Sequence, residues 1–260
     1  MKAIIFAAGL GTRLRPLTDN KPKALVEVDG RPMLEHVVRR LINADFNEIV
    51  VNVHHYGQQI IDFLKSNDNF GAEIHVSDER DLLLDTGGGI RKARKWLDGD
   101  KPFLIHNADI LTDLDLKAFY DNHLHHNADI SLLAAERTTS RYLLCDEENR
   151  LHGWTNIKTG QVRPEGFLYD KRKYHPLAYG CIQAVSPKIF ERLEKFTNAP
   201  KFSIFDFYLG VCEEFNIRCA CPKDYNWFDI GTPEKLLEAD TWFKQNKTKQ
   251  NKIKYDHYRR

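Results

Sequence analysis

The chain has 260 residues, 42% of them hydrophobic, enough for one large core or a core with a small appendage. Its formal net charge of +1 excludes the global basic field by which nucleic-acid-binding domains hold their ligand. Five cysteines without regular spacing exclude a disulfide framework; Cys219 and Cys221 would share one face of a strand, but no second pair stands nearby at zinc spacing.

Residues 2–8 form an apolar run, too short for a secretory signal, that leads into Gly9 and Gly11 and so reads as a buried strand ending in a loop. Pro32 opens an amphipathic helix, with Met33, Val37, Leu41 and Ile42 at helical spacing. Residues 48–53 read as strand, 57–66 as helix and 72–76 as strand; Gly87, Gly88 and Gly89 precede a helix from Ile90 to Leu97, and 102–107 are the next strand. This alternation predicts a single α/β domain. Its sheet is mixed and mostly parallel, with helices on both faces and a Rossmann-like N-terminal half. The second half is less regular, with strands near 128–135, 142–154, 177–185 and 216–221 and helices near 187–195, 203–215 and 233–243. No linker rich in Pro, Gly or Ser interrupts residues 1–243, which are taken as one domain. Residues 244–260, with seven basic side chains and one acidic, read as a solvated or disordered tail. No stretch approaches the length of a membrane span, so the expected location is the cytoplasm.

The chemistry gathers first at Ala7-Ala8-Gly9-Leu10-Gly11-Thr12-Arg13-Leu14-Arg15-Pro16-Leu17-Thr18, continuing through Lys21-Pro22-Lys23-Ala24-Leu25. Small residues at a strand end let backbone N–H groups approach an anion. Arg13 adds a planar, doubly donating cation and Lys23 a compact charge, which together suit a triphosphate. The loop is not a Walker loop, and Leu14 stands where a dinucleotide fingerprint would need its third glycine.

This segment resembles the sugar-1-phosphate nucleotidyltransferase family, whose opening motif runs G-x-G-T-R-L-x-P-L-T followed by P-K-x-L. The resemblance implies that Ala7, Ala8, Gly9, Gly11 and Thr12 hold the NTP phosphates, that Arg13 faces the departing pyrophosphate and that Lys23 binds the reacting phosphates. Arg13 and Lys23 are then the catalytic cations. Leu84-Asp85-Thr86-Gly87-Gly88-Gly89 resembles the family's turn against base and ribose, implicating Asp85, Gly87 and Gly88. Asn107-Ala108-Asp109 and Trp227-Phe228-Asp229-Ile230-Gly231-Thr232-Pro233 resemble the two segments that supply metal-binding aspartates, here Asp109 and Asp229, with Asn107 beside both substrates. Leu177-Ala178-Tyr179-Gly180-Cys181-Ile182 is similar to the family strand whose glycine, here Gly180, lies against the acceptor sugar.

Simple chemistry supports the aspartate pair. Mg²⁺ prefers one or two carboxylates and leaves its other positions to water and phosphate oxygens. Asp109 follows an apolar strand and so falls at the carboxyl edge of the sheet, where open α/β folds bind ligands. Thr232 before Pro233 is the better helix cap, which leaves Asp229 available. A sugar phosphate is already an anionic nucleophile, so catalysis reduces to alignment and charge neutralisation.

Within the family the chain looks most like the N-acetylmuramate-1-phosphate uridylyltransferases, with mannose- and heptose-1-phosphate guanylyltransferases as rivals. A phosphocholine cytidylyltransferase-type enzyme would need an aromatic or acidic cage, for which Trp154, Tyr169 and Tyr174 are candidates. A non-catalytic nucleotide-sugar-binding subunit should have lost the aspartates or Arg13. Lys158, Arg163, Lys171, Arg172 and Lys173 are candidate phosphate contacts in the segment before Leu177. The expected partners are an NTP, with UTP favoured, and a sugar 1-phosphate; nucleic acid and membrane are not expected, and a homo-oligomer stays open.

Overall fold

A computed structural model describes the backbone of residues 1–257 and the side chains through Asn246. The chain begins with β1 (Lys2–Phe6), a small hairpin of β2 (Glu27–Val28) and β3 (Arg31–Pro32), and α1 (Met33–Asn43). β4 (Glu48–Val53), α2 (Gly57–Ser66), β5 (Glu73–Asp78), α3 (Asp85–Leu97) and β6 (Phe103–Asn107) complete the alternating half. Strands β6, β1, β4 and β5 lie side by side in parallel. Crossover through α1, α2 and α3 places helices on both faces, as the right-handed βαβ connection demands.

The two faces have separate cores. Ala3, Ile5, Ile49 and Val51 point to the side of α1, whose Leu34, Val37, Val38 and Leu41 are fully buried at helical spacing. Ile4 and Val50 point the other way, onto Ile90, Ala93 and Leu97 of α3. Strict alternation along a strand produces this division. Each fully buried Leu or Val contributes about 1.5–3 kcal/mol relative to exposure.

The rest of the chain runs β7 (Ile110–Thr112), α4 (Leu116–His125), β8 (Ile130–Ala135), β9 (Arg141–Cys145), β10 (Leu151–Asn156), β11 (Gln161–Arg163) and β12 (His175–Val185). Then come α5 (Ile189–Glu194), α6 (Ile204–Val211), β13 (Ile217–Ala220), β14 (Trp227–Asp229) and α7 (Pro233–His257). The long β12 joins the halves: it is antiparallel to β6, β8 and β9, and β9-β10-β11 continue as an antiparallel meander. β7 and β14 pair separately, Asp229 opposite Ile110.

Four expectations change. Residues 142–154 are two strands, because Asn149 takes φ 61° and Asp146 and Arg150 close a turn. Gly87–Gly89 lie inside α3, which begins at Asp85. A Cβ on Gly87 would stand 2.3 Å from the Phe202 ring and one on Gly88 2.2 Å from the Pro200 carbonyl, so close packing outweighs the glycines' poor helix propensity. β13 ends at Ala220, so exposed Cys221 leaves the face on which Cys219 is buried. Finally, α7 runs on past Phe243, where the tail was expected; the side chains of that tail beyond Asn246, and residues 258–260, lie outside the described residues.

Candidate active site

The carboxyl ends of β1, β4 and β6 open into a cavity of about 360 Å³ lined by Ala7, Ala8, Gly9, Asn52, Asn107 and Asp109 among others, with Lys23, Asp85 and Thr86 on its rim. A second cavity of about 880 Å³ extends along β9–β12 and is lined by Arg13, Arg137, Tyr179, Trp227 and Asp229. β14 lines the larger cavity and pairs with β7, which follows Asp109 of the smaller one. This pairing brings Asp109 and Asp229 together, and Ile230 N–H donates to the Asp109 carbonyl at 2.9 Å.

The loop after β1 is held from below. Asn52, buried in β4, accepts from Ala7 N–H at 2.7 Å and Ala8 N–H at 3.2 Å. Its own amide donates to Glu79 at 2.9 Å, and the other Glu79 carboxylate oxygen accepts from Leu84 N–H at 3.1 Å. The first two amides expected to face phosphate are therefore occupied by Asn52. Among the described residues, the amides of Gly9, Leu10 and Gly11 have no protein acceptor, and consecutive free N–H groups form an anion nest. Gly11 is needed here on two counts: φ is 68°, and a Cβ would come within 3.0 Å of Lys23 and Thr18. Thr12 is exposed and starts a 3-10 turn, Thr12–Leu14, that turns Arg13 toward the larger cavity.

Lys23 follows Pro22 in a second 3-10 turn, and its Nζ forms an ion pair with Asp109. Asp229 has its carboxyl pushed above the usual range, first by burial and then by the negative charge of Asp109; Lys23, Arg13 and Arg137 oppose this. The Arg13 guanidinium rests on Gly231, where a Cβ would stand 2.9 Å from it. Thr232 caps α7, its hydroxyl accepting from Lys235 N–H at 3.4 Å, which leaves Asp229 free of that task.

Most of the expected residues thus converge on the two cavities. Gly87 and Gly88 do not line either; they are buried against Phe202 and Pro200. Asn107 lies on the smaller cavity. Gly180 sits beneath the larger one, its side-chain space taken by Leu133 at 2.7 Å and its carbonyl accepting from Trp227 Nε1 at 2.9 Å, so packing fixes it as a glycine. Of the five basic candidates before Leu177, Arg163 alone lines the cavity, and it pairs with Asp206.

Three residues escape sequence reasoning. Asn52 and Glu79 anchor the loop, and the only sign was an amide inside an otherwise apolar strand. Arg137 leaves no sequence signal. Its guanidinium stacks 3.5 Å from the Trp227 ring centroid and donates to the Tyr179 carbonyl at 3.0 Å. Its Nε is buried without a partner, and burial lowers its pKa. A partly buried cation without a carboxylate partner is costly unless a ligand supplies the anion.

Comparison with known proteins places the chain in a family. Residues 2–142 match the Nucleotidyl transferase family model. An N-acetylmuramate alpha-1-phosphate uridylyltransferase of Neisseria meningitidis serogroup B is 46% identical over 241 residues, covering 92% of this chain and 96% of that protein. One of the same description from Caulobacter vibrioides is 44% identical, covering 92% and 95%. The catalytic subunit beta of a mannose-1-phosphate guanylyltransferase from Dictyostelium discoideum is 27% identical over 92% of this chain and 63% of its own length. The solved structure of HddC from Yersinia pseudotuberculosis superposes with a TM-score of 0.72 at 23% identity, over 93% of this chain and 99% of that one, which shows the shared fold. The chain belongs to the nucleotidyl transferase family and is a sugar-1-phosphate nucleotidyltransferase.

Proposed function

We propose that the protein transfers UMP from UTP to N-acetylmuramate 1-phosphate, forming a UDP-sugar and releasing pyrophosphate. The observation that carries the reaction class is the placing of a pair of carboxylates on two neighbouring cavities, one lined by the strand-end backbone of Ala7 to Gly9 and by Lys23, the other by arginines. The choice of base and acceptor rests on the two relatives at 46% and 44% identity.

The smaller cavity takes UTP, its phosphates against the amides of Gly9 to Gly11 and its base toward Asp85 and Thr86. The larger takes the acceptor. One oxygen of the acceptor phosphate attacks the α-phosphorus in line with the bond to the β-phosphate oxygen. That new P–O bond forms as the old one breaks, and the electron pair leaves on pyrophosphate, so no proton transfer is required. Arg137, stacked on Trp227 beside Asp229, orients the attacking phosphate. Lys23 moves its charge from Asp109 to the reacting phosphates; Arg13, expected to face the departing pyrophosphate, lines the larger cavity instead and neutralises charge from the acceptor side.

Asp109 and Asp229 fit a magnesium ion. Among the described residues no cluster of three or more His, Cys, Asp or Glu could enclose a metal, and this pair supplies hard carboxylate oxygens, one on each cavity, which suits an ion that takes its remaining ligands from water and phosphate. Burial first, and then the charge of Asp109, hold the Asp229 carboxyl above its usual range against the pull of Lys23, Arg13 and Arg137, and a bound cation would relieve both. When bound, Mg²⁺ would supply charge neutralisation and alignment of phosphate oxygens.

Phosphocholine is a poor acceptor on physical grounds. Trp154 lines the larger cavity, but so do Arg13, Arg137 and Arg141, which repel a quaternary ammonium. Among the described residues, no helix is long and apolar enough to cross a membrane. We keep the cytoplasm as the compartment, which suits an NTP substrate. The reading is tested by pyrophosphate release across four NTPs crossed with N-acetylmuramate, mannose, glucose and N-acetylglucosamine 1-phosphates and phosphocholine. Turnover confined to GTP with mannose 1-phosphate would replace it with the guanylyltransferase reading.

A further inference from the structure

The larger cavity holds more cations than one phosphate needs. Five basic side chains line it: Arg13, Arg137, Arg141, Arg163 and Lys235. Arg163 is neutralised by Asp206, and Lys235 by Glu238. Arg13 lies on Gly231, near Asp229, and Arg137 stacks on Trp227 near the same carboxylate. That leaves Arg141, whose side chain has no carboxylate or carbonyl partner among the described residues.

The register of the meander shows what surrounds it. Arg141 of β9 is opposite Asn156 of β10, which is opposite Gln161 of β11. One step along, Leu143 is opposite Trp154, which is opposite Arg163. Directly paired residues share a face, and residues two apart on a strand share it too, so all six belong to one face. All six line the cavity. The wall therefore has a polar row of one guanidinium and two carboxamides, roughly 5 Å apart from strand to strand, beside a row bearing an indole platform. The first row offers N–H donors and one positive charge in fork geometry, the pattern that recognises a carboxylate.

We propose that Arg141, with Asn156 and Gln161, forms a second anion subsite that selects acceptors carrying a carboxylate on the sugar in addition to the 1-phosphate. The proposal rests on the acceptor reading above, since N-acetylmuramate bears such a carboxylate and N-acetylglucosamine, otherwise the same sugar, does not. Arg137 and Arg141 then hold the two negative ends of one acceptor, and a sugar phosphate without the carboxylate leaves Arg141 unpaired.

The test is the ratio of kcat/KM for N-acetylmuramate 1-phosphate to that for N-acetylglucosamine 1-phosphate, with UTP, in the wild type, Arg141→Met and Arg141→Lys. UTP affinity, read in the smaller cavity, reports that the variants are folded. The expected result is that Arg141→Met lowers the ratio by about 10- to 100-fold, the range for losing a charge-assisted hydrogen bond, mostly through KM of the carboxylated acceptor, and that Arg141→Lys recovers part of it. A ratio unchanged in both variants, or both acceptors declining in parallel, overturns the subsite and leaves the transferase reading intact. A wild type that turns over other sugar phosphates but not the carboxylated one overturns the acceptor reading and the subsite together.

Discussion

Replacing Asn52 with Ala removes three hydrogen bonds at once, to Ala7, Ala8 and Glu79. Asn52 is 2% exposed and Glu79 1%, so water cannot simply take its place. At about 1 kcal/mol net for each bond, with a further penalty for the stranded carboxylate oxygen, the cost is about 3 kcal/mol. For a chain of this size that lowers the melting temperature by about 6–12 °C. The loop at Ala7 to Gly9 also loses its support, so KM for the NTP should rise more than kcat falls. Asn52→Asp separates the two contributions. It keeps an acceptor for the amides but places a second carboxylate against Glu79, so its deficit should shrink as pH falls and the pair takes up a proton. Thermal unfolding monitored by far-UV circular dichroism at several pH values is the assay. An Asn52→Ala melting temperature within about 1 °C of wild type would refute the reasoning, because at a few kcal/mol the anchor could not be silent.

Three further outcomes are expected. Asp229→Asn should raise the melting temperature of the metal-free protein at neutral pH, since the carboxyl is held above its ordinary range and ionising it opposes folding; an unchanged or lower value in EDTA would contradict this. His106 and His123 are buried and have their pKa values lowered from 6.5 to about 4. The unfolded chain therefore takes up protons that the folded one refuses, and stability is lost as pH falls from 6.5 toward 4, by up to about 1.4 kcal/mol per pH unit for each histidine. A His123→Gln variant should show a shallower slope in that window, and an identical slope would speak against it. Gly231→Ala places a methyl 2.9 Å from the tip of Arg13, a flexible contact, so kcat/KM should fall about 10-fold or more with little change in stability; a variant with wild-type turnover would remove Arg13 from the chemistry.

The parallel half of the fold was readable because its signals are local. β1 and β4 each carry a short apolar run, Ala3 to Phe6 and Ile49 to Val51, and α1 repeats its buried residues at helical spacing. Residues 142–154 misled because Asp146 to Arg150 make a tight turn between two strands of the same character. Gly87 and Gly88 were readable as a site signature and not as packing, since the Phe202 ring and the Pro200 carbonyl that press on them come from a segment more than 100 residues away. The same holds for the centre of the site. Asp109 and Asp229 each stood out by motif, but the three-residue strands that join them, β7 and β14, are too short to carry a period. Arg137 owes its importance wholly to what surrounds it, and Asn52 showed itself only as an amide inside an otherwise apolar strand.

The measurement that tests the central claim most directly is pyrophosphate release from UTP and N-acetylmuramate 1-phosphate, titrated with Mg²⁺, in the wild type, Asp109→Asn and Asp229→Asn side by side. The expected result is Mg²⁺-dependent turnover in the wild type and a loss of about 100-fold or more in each variant, as for removal of a group that stabilises transferring phosphates. Turnover in either variant at the wild-type rate, with the same Mg²⁺ dependence, would contradict the claim that these two carboxylates are where the reaction takes place.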